Sequence, residues 1–311
     1  MKFSMYPRAW ESTVRELVDA GHEYIESPED HLPEGIDFLV FNGSGEQCPE
    51  FPASLRYVQT CFAGLDGLLD AGKLTDSVRW ANAKGLFAPT VAESTVGLIL
   101  GLYHMHKVVT RAASWSVNER MDAETTWLYD NKTVAIIGAG GIGEELIRLL
   151  RPFGPRIIAV TSSGREVDSA DESVRIDRAT EEGVWARADI VVLLAPLTES
   201  TRGMVNAETL RKMKKEAILV NVGRGGLVVT DDLVDALRAG EIAGAALDVT
   251  DPEPLPDGHP LWEMEQVLIT PHTANTRERM TVLMGGLAVK NAAAFERGET
   301  MPTEVDVARG Y

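Results

Sequence analysis

The 311-residue chain has few cysteines, few aromatic residues and fewer basic than acidic residues. Its two cysteines, Cys48 and Cys61, provide neither a disulfide framework nor the spacing of a metal site, so no metal is predicted. No apolar run approaches the ~20 residues that span a membrane, and the first residues lack a signal peptide's apolar core. The net charge of −17 disfavours nucleic acid and anionic membranes as partners. We therefore expect a soluble cytoplasmic protein.

The chain instead contains a regular alternation of short apolar runs with helical patterns. Most of the runs are continuously apolar, which is typical of parallel strands covered by helices on both faces. At ~150 residues per domain, the length suggests two domains. The pattern predicts an α/β fold of two Rossmann-like or flavodoxin-like domains with parallel sheets and a cleft between them. The predicted strands are Ile36–Phe41, Leu55–Cys61, Thr133–Ile137, Arg156–Val160, Asp189–Leu194, Ala217–Val222, Ala243–Val249 and Val267–Thr270, and the predicted helices include Gly141–Arg151, Asn206–Lys214 and Thr230–Ala239.

Two long helices are predicted where the chain passes between the domains. Thr90 and Glu93 have the spacing of a capping box and predict a helix that ends near residue 106. Asn275 and Glu278 have the same spacing and predict a second helix that ends near residue 297. Two wholly sequential domains are the alternative. The expected division is a discontinuous substrate domain of residues 1–100 and 276–311 and a dinucleotide-binding domain of residues 101–275.

A glycine-rich loop lies between a predicted strand and a predicted helix. Gly138, Gly140 and Gly143 have the G-x-G-x-x-G spacing of a dinucleotide-binding loop. Gly138 would permit the tight turn, Gly140 would let the backbone approach a pyrophosphate, and Gly143 would let the helix pack closely on the strand. The helix N-terminus would bind phosphates through its free N–H groups and its positive dipole end. The sequence therefore predicts a dinucleotide site, and a glycine-rich turn without a ligand is the alternative.

The end of the next predicted strand bears on the choice between NAD and NADP. NAD-preferring sites usually carry an acidic residue there, which accepts hydrogen bonds from the ribose hydroxyls. This chain has Thr161, Ser162 and Ser163 at that point, followed by Arg165. Hydroxyls and a guanidinium suit a 2′-phosphate, whereas the neighbouring Glu166 opposes it. We therefore expect NADP(H) to be preferred over NAD(H).

Four further segments complete a pattern that resembles a known family. They are Asn221-Val-Gly-Arg224-Gly-Gly, Ala246-Leu-Asp248-Val, Asp251-Pro-Glu253-Pro-Leu and Thr270-Pro-His272-Thr. Together with the glycine loop, their order and spacing resemble the D-isomer-specific 2-hydroxyacid dehydrogenase family, and in particular its glyoxylate/hydroxypyruvate reductase-like members. The resemblance covers nearly the whole chain. It implies a discontinuous substrate domain, a homodimer formed through the nucleotide domain, and the catalytic residues Arg224, Glu253 and His272.

The chemistry of 2-oxoacid reduction agrees with these residue types. Arg224 would hold the substrate carboxylate and polarise the carbonyl with a planar, permanently charged fork. His272 would protonate the new alkoxide, because histidine exchanges a proton near neutrality. Glu253 would bond the other ring nitrogen and so orient the imidazole. Asp248 would either accept from the nicotinamide amide or order nearby loops, and both possibilities stay open.

The resemblance also implies residues with weaker signals of their own. Ala63 and Gly64 match the family's loop whose backbone N–H groups hold the substrate carboxylate. Asn275, three residues after His272, is a departure from the family's pattern and is expected to face the substrate. The segment Leu194-Ala-Pro196-Leu-Thr198 with Thr201 resembles the family's loop beneath the cofactor. The candidate cofactor-binding residues are Thr90, Gly138, Gly140, Gly141, Ile142, Gly143, Thr161, Ser162, Ser163, Arg165, Ala195, Pro196, Thr201, Val222, Gly223 and Asp248, and the candidate substrate-binding residues are Ala63, Gly64, Arg224, His272 and Asn275.

The family resemblance implies an NAD(P)-dependent oxidoreductase that interconverts 2-oxoacids and D-2-hydroxyacids. Glyoxylate or hydroxypyruvate is the expected substrate, and NADPH is the expected reductant. One alternative is a phosphoglycerate dehydrogenase-like enzyme without a regulatory domain. Another is a non-enzymatic, dinucleotide-sensing binding protein similar to the related C-terminal-binding corepressors. A formate dehydrogenase is disfavoured, because that branch pairs its histidine with Gln where this chain has Glu253.

Overall fold

A computed structural model of the protein describes residues 1–307. Contacts within the chain divide it into two compact units. Unit 1 contains Met1–Phe87 and the C-terminal segment that begins at Thr276, and unit 2 contains Ala88–Asn275. The first passage between units therefore lies before residue 88 and not at residue 100, where the sequence predicted it. The reason is that the helix Ala88–Tyr103 packs against the helix Gly141–Leu150 of unit 2.

The strands and helices of the described residues are numbered in chain order. The strands are β1 (Lys2–Tyr6), β2 (Glu23–Tyr24), β3 (Phe38–Phe41), β4 (Tyr57–Thr60), β5 (Arg79–Ala81), β6 (Thr133–Ile137), β7 (Arg156–Thr161), β8 (Glu172–Arg175), β9 (Ile190–Leu193), β10 (Ile218–Asn221), β11 (Gly244–Leu247) and β12 (Val267–Ile269). The α-helices are α1 (Glu11–Asp19), α2 (Asp66–Asp70), α3 (Ala88–Tyr103), α4 (His106–Ala112), α5 (Asn118–Glu124), α6 (Gly141–Leu150), α7 (Val184–Arg187), α8 (Ala207–Lys212), α9 (Thr230–Ala239), α10 (Pro260–Glu263) and α11 (Arg277–Glu296).

Unit 1 is built on a parallel sheet with the strand order β2-β1-β3-β4-β5. The central strands β3 and β4 are buried along their whole length, as expected of strands covered on both faces. Helices α1 and α11 pack side by side, and the Ser12 hydroxyl donates to the Thr281 carbonyl at 2.6 Å. Gly285 permits this approach, because a Cβ there would lie 2.7 Å from the carboxyl carbon of Glu16.

Unit 2 is built on a parallel sheet with the strand order β12-β11-β10-β9-β6-β7-β8. This is the doubly wound order of dinucleotide-binding sheets, with β12 added at one edge. The strand order reverses between β6 and β9, and such sheets bind ligands beyond the carboxyl ends of the strands at that point. The core of the unit lies between this sheet and the helices that cover it.

The helices that flank this sheet follow from their sequences. In α6 the residues Gly143, Leu146, Ile147 and Leu150 are buried and share one face, as their three- and four-residue spacing predicts. Helix α9 begins with two aspartates in its first turn, where negative charge is favoured by the helix dipole. It ends at Gly240, whose φ of +65° is readily adopted only by glycine.

The predicted α/β class with two parallel sheets is confirmed, and each of the eight predicted strands lies within two residues of its expected ends. Strands β1, β2, β5 and β8 were not predicted, because they are short or carry polar residues.

The predicted capping box at Thr90 is wrong, since α3 already begins at Ala88. Helix α11 is capped by Thr276 rather than Asn275, through the hydroxyl that accepts from the Arg279 N–H at 3.3 Å. Among the described residues, no helix combines the length and the apolar character needed to cross a bilayer.

Candidate active site

The predicted site residues of unit 2 follow the carboxyl ends of its strands. The glycine loop follows β6, Thr161 ends β7, and Ala195 comes shortly after β9. Arg224 and Asp248 follow β10 and β11. Because parallel strands end at the same edge of a sheet, these residues belong to one edge, next to the point where the strand order reverses.

The three glycines of the loop have three different environments. Gly138 has a φ of +96°, and a Cβ there would lie 2.3 Å from the backbone nitrogen of Ala195. At Gly143 a Cβ would lie 3.2 Å from the Cγ2 of Ile136, so helix and strand are in close contact. At Gly140 a Cβ would meet no atom within 4 Å. The protein therefore leaves no room for a side chain at Gly138 and little at Gly143, whereas the space beside Gly140 is free. This arrangement fits a pyrophosphate bound beside the N-terminus of α6.

The end of β7 combines a buried hydroxyl with an exposed guanidinium. Thr161 is only 7% exposed, and within residues 1–307 its hydroxyl has no hydrogen-bond partner. The Arg165 guanidinium donates to the carbonyl of Ala139 at 3.2 Å and to the carboxylate of Glu144 at 2.5 Å. Arg165 therefore lies against the glycine loop, where Glu144 competes for its charge. The side chains of Ser162 and Ser163 are exposed beside it.

The loop after β9 is braced by its own hydroxyl groups. The Thr201 hydroxyl donates to the Pro196 carbonyl at 2.7 Å and accepts from the Thr198 N–H at 2.8 Å. Gly223 packs close to the same strand, because a Cβ there would lie 3.1 Å from the carbonyl oxygen of Leu193. These contacts hold the loop beside the end of β10, where Val222 is buried.

Arg224 is half-buried at the end of β10. Its guanidinium donates to the Gly223 carbonyl at 2.8 Å, and its own carbonyl accepts from the Asn221 side chain at 2.9 Å. At Gly225 a Cβ would lie 1.9 Å from the carbonyl oxygen of Thr250, so only glycine fits. Sequence reasoning missed the contributions of Asn221 and Gly225, although both stand in the segment that it singled out.

His272 and Glu253 form a hydrogen-bonded pair in unit 2. The His272 Nδ1 lies 2.6 Å from the Glu253 Oε1. With Nδ1 engaged, Nε2 is the ring nitrogen left for a substrate. The His272 backbone has a φ of +52°, a region that costs about 1–3 kcal/mol for a residue other than glycine. Its N–H donates to the carbonyls of Asp248 at 2.8 Å and Thr270 at 2.9 Å, which hold this conformation.

Asp248 ties the loop after β12 to the end of β11. The residue is 3% exposed, and its Oδ1 accepts from the Thr270 hydroxyl at 2.6 Å and the Thr273 N–H at 2.8 Å. The Ala274 N–H donates to both carboxylate oxygens at 3.1 Å. Of the two roles predicted for Asp248, these bonds describe the ordering of a loop. A contact with the nicotinamide stays a prediction.

Two of the weaker candidates contact each other in unit 2. The Thr90 hydroxyl on α3 donates to the Oδ1 of Asn275 at 2.9 Å. This pairing of a candidate cofactor residue with a candidate substrate residue was not predicted. Ala63 and Gly64 lie in unit 1, in the loop between β4 and α2, and the Ala63 carbonyl accepts from the side chain of Asn82 at 2.9 Å.

Residues 94–274 match the model of the family described as D-isomer specific 2-hydroxyacid dehydrogenase, NAD binding domain. The chain belongs to this family. The dehydrogenase is 56% identical to an uncharacterized protein in the proB 3′ region of Corynebacterium melassecola, over 100% of both chains. It is 35% identical to a human glyoxylate reductase/hydroxypyruvate reductase, over 88% of this chain and 82% of that protein.

A solved structure has the same overall fold as the dehydrogenase. It is a D-isomer specific 2-hydroxyacid dehydrogenase from Xanthobacter autotrophicus Py2 in complex with NADPH and MES, with a TM-score of 0.84 and 26% identity. The match covers 100% of this chain and 99% of that chain. The predicted family is thus confirmed, and with it an NAD(P)-dependent oxidoreductase that acts on 2-hydroxyacids.

The two cysteines of the dehydrogenase belong to unit 1. Both are buried, and burial raises the pKa of the Cys48 thiol to about 11 and that of Cys61 further. Neither thiol is therefore appreciably ionised at neutral pH. Within residues 1–307, no group of three or more His, Cys, Asp or Glu side chains is arranged to hold a metal ion.

Proposed function

We propose that this dehydrogenase reduces small 2-oxoacids, glyoxylate and hydroxypyruvate first among them, to D-2-hydroxyacids. The observation that carries the proposal is the 2.6 Å pair of His272 and Glu253 at the sheet edge that also carries Arg224 and the glycine loop. The name of the human relative supports this substrate class. Arg224, Glu253 and His272 are the proposed catalytic residues.

Each residue has a defined part in the proposed reduction. When bound, the reduced nicotinamide supplies a hydride for the carbonyl carbon. Arg224 holds the substrate carboxylate and polarises the carbonyl, because its guanidinium keeps its charge at any working pH. His272 gives the proton on Nε2 to the carbonyl oxygen, while Glu253 holds Nδ1 and stabilises the charged ring. Asp248 keeps the loop of His272 in place through its four hydrogen bonds.

NADPH is the proposed reductant. No acidic side chain ends β7 to repel a 2′-phosphate, and the Arg165 guanidinium lies on the glycine loop beside it. The unpartnered hydroxyl of Thr161 and the exposed Ser162 and Ser163 can donate to phosphate oxygens. The NADPH complex of the Xanthobacter enzyme supports this choice. The Glu144 carboxylate limits it, since a phosphate must compete for Arg165.

We further propose a cytoplasmic homodimer that associates through unit 2. Three large aromatic side chains of this unit are exposed, Trp115 to 87%, Tyr129 to 67% and Trp127 to 52%. Tryptophan and tyrosine are enriched at protein interfaces, and exposed apolar surface is often a site of interaction. A second copy of the chain would bury them.

Steady-state reduction of a panel of 2-oxoacids tests the proposal. We expect turnover of glyoxylate and hydroxypyruvate, a D-configured product from substrates that form a stereocentre, and a higher kcat/KM with NADPH than with NADH. Arg165→Ala should reduce the NADPH preference by about tenfold, mainly through the KM for NADPH. Equal or better use of NADH would contradict the cofactor choice alone. A tightly bound dinucleotide without turnover of any 2-oxoacid would contradict the reductase.

A further inference from the structure

In the loop between β4 and α2 of unit 1, the carbonyls of Phe62 and Ala63 accept hydrogen bonds, while the N–H groups of Ala63 and Gly64 are among those that donate to no described acceptor. The carbonyl of Phe62 accepts from the Ala83 N–H at 2.9 Å, and the carbonyl of Ala63 accepts from the Asn82 side chain at 2.9 Å. Within the described part of the chain, the N–H groups of Ala63 and Gly64 donate to no acceptor. Ala63 is exposed, and Gly64 is partly exposed.

The geometry of the peptide bond connects the bonded carbonyls with the free N–H groups. Both peptides are trans, and in a trans peptide the carbonyl and the following N–H point in opposite directions. A Phe62 carbonyl bonded to the protein therefore turns the Ala63 N–H away from it, and the Ala63 carbonyl does the same for the Gly64 N–H. Each of these two neighbouring N–H groups is thus directed away from the group that binds the preceding carbonyl, and both are available to an anion.

Asn82 is held so that only its amide nitrogen faces Ala63. Its Oδ1 accepts from the Lys84 N–H at 3.0 Å, which directs Nδ2 to the Ala63 carbonyl. The backbone carbonyl of Asn82 accepts from the Thr303 hydroxyl at 2.6 Å and the Gln59 side chain at 3.1 Å. Asn82 is 3% exposed and Gln59 is fully buried, so this network is shielded from water.

We propose that Asn82 is a positioning residue for the substrate carboxylate. By bonding the Ala63 carbonyl it keeps the Gly64 N–H directed at the anion, so that the loop is ordered before the substrate arrives. The inference rests on the proposed reduction of 2-oxoacids, and it takes the N–H groups of Ala63 and Gly64, which the family resemblance implies for the substrate carboxylate, as groups that bind this anion. It predicts that Asn82 acts on recognition of negative charge and not on the hydride or proton transfer.

Kinetics of Asn82→Ala with a charged and an uncharged substrate test this role. We expect the KM for glyoxylate to rise about tenfold, kcat to change less than about threefold, and the NADPH dissociation constant to stay unchanged. The ratio of kcat/KM for glyoxylate to that for its amide, glyoxylamide, should fall about tenfold, because the amide has no carboxylate to bind. Asn82→Asp should have a larger effect, since an oxygen would then face the Ala63 carbonyl. Asn82→Ser serves for the same measurements if Asn82→Ala does not fold.

Thr303→Val is the matched control for Asn82→Ala. It removes the hydroxyl that donates to the Asn82 carbonyl and accepts from Asn291, but it leaves the bond between Asn82 and Ala63 in place. We expect Thr303→Val to lower the free energy of unfolding and to leave the ratio of kcat/KM for glyoxylate to kcat/KM for glyoxylamide unchanged. The inference is overturned if Thr303→Val lowers that ratio as much as Asn82→Ala, or if folded Asn82→Ala leaves it unchanged.

Calorimetric binding of oxalate, an unreactive analogue of 2-oxoacids, separates this inference from the proposed function. We expect Asn82→Ala to weaken oxalate binding about tenfold. If the wild-type protein reduces no 2-oxoacid but Asn82→Ala still weakens oxalate binding about tenfold, the result would support the positioning role and contradict the reductase. Equal oxalate affinity in wild type and Asn82→Ala, or no binding to wild type, would overturn the positioning role.

Discussion

Backbone contacts place the proposed catalytic side chains of unit 2. Gly225 lets the end of β10 lie against Thr250, and Asp248 binds the loop that carries His272. Gly225 and Asp248 thereby fix the backbone around Arg224 and His272. A change of a reactive side chain should therefore alter the chemistry and leave dinucleotide binding intact.

Arg224→Lys tests the proposed clamp on the carboxylate. Lysine keeps the positive charge but lacks the planar fork that binds a carboxylate with two hydrogen bonds. We expect kcat/KM for glyoxylate to fall by an amount equivalent to roughly 2–4 kcal/mol, with an unchanged dissociation constant for NADPH. Arg238→Lys in the last turn of α9 is the matched control. Near-wild-type kcat/KM for Arg224→Lys would show that Arg224 does not hold the carboxylate.

Strand β8, at the edge of the sheet of unit 2, is paired with β7 and is also tied to its neighbours by the carboxylate of Glu172. Glu172 accepts from the Arg187 guanidinium at 2.7 and 2.8 Å and from that of Arg156 at 3.0 Å. These hydrogen bonds, those of Arg187 above all, lower the pKa of Glu172 to about 2. The carboxylate therefore binds a proton less readily in the folded protein than in the unfolded chain.

Glu172→Gln should lower the free energy of unfolding near neutral pH by about 1 kcal/mol. The stabilising contribution is fully present above the ordinary glutamate pKa and is lost as the pH falls through the folded-state value of about 2. The difference between wild type and Glu172→Gln should thus shrink on acidification below pH ~4.5. Urea unfolding at several pH values measures this difference in free energy. Glu208→Gln, which removes a charge from the exposed ion pair with Lys212, is the control. A difference that does not depend on pH would contradict this account of β8.

Local patterns in the sequence predicted the elements that depend on local forces. The spacing of Gly138, Gly140 and Gly143 was informative, because a side chain is excluded by the tight turn at Gly138 and by the close contact of α6 with β6 at Gly143, while Gly140 leaves open space for a ligand. Strand β5 was missed, since the three residues Arg79–Ala81 carry no periodicity. The predicted start of α3 was wrong. The Thr90 hydroxyl bonds the side chain of Asn275, which is far along the chain, instead of capping the helix, and a local sequence pattern does not indicate such a distant partner.

Contacts between distant segments could not be read from the sequence. The family resemblance implied the pairing of Glu253 with His272, whereas spacing alone offered no reason for it. The loop-ordering bonds of Asp248 were one of two possibilities, because they depend on how β11 and β12 lie in the sheet. The bond from Asn82 to the Ala63 carbonyl joins residues of two separate loops and had no sequence signal.

The molecule as a whole is strongly acidic, with a net charge of −17, so identical chains repel one another at long range. Association into the proposed homodimer must then come from short-range burial of apolar surface. Among the exposed large hydrophobic side chains described in unit 2, Trp115 has the largest exposed fraction, 87%, so its burial would contribute most to association. Tryptophan, with tyrosine and arginine, is also enriched among the residues whose truncation weakens an interface by about 2 kcal/mol or more.

Trp115→Asp should convert the proposed dimer to monomer, because it removes the indole and adds a charge at the contact. We expect the dimer dissociation constant to rise by about tenfold or more, measured by sedimentation equilibrium. Val282→Asp, at an exposed apolar residue of unit 1, is the control and should leave the dimer intact. A wild type that stays monomeric at high concentration, or a Trp115→Asp variant that still dimerises as wild type does, would contradict a dimer through this surface.

The central claim is that the carboxyl edge of the sheet of unit 2 is a reductase site in which His272 supplies the proton. The most direct test is glyoxylate reduction by His272→Ala with NADPH as reductant. We expect kcat to fall by about 10²–10⁴-fold, while the NADPH dissociation constant stays within about twofold of wild type. His259→Ala, at a histidine that caps α10, should keep full activity. Near-wild-type kcat in His272→Ala would contradict the account.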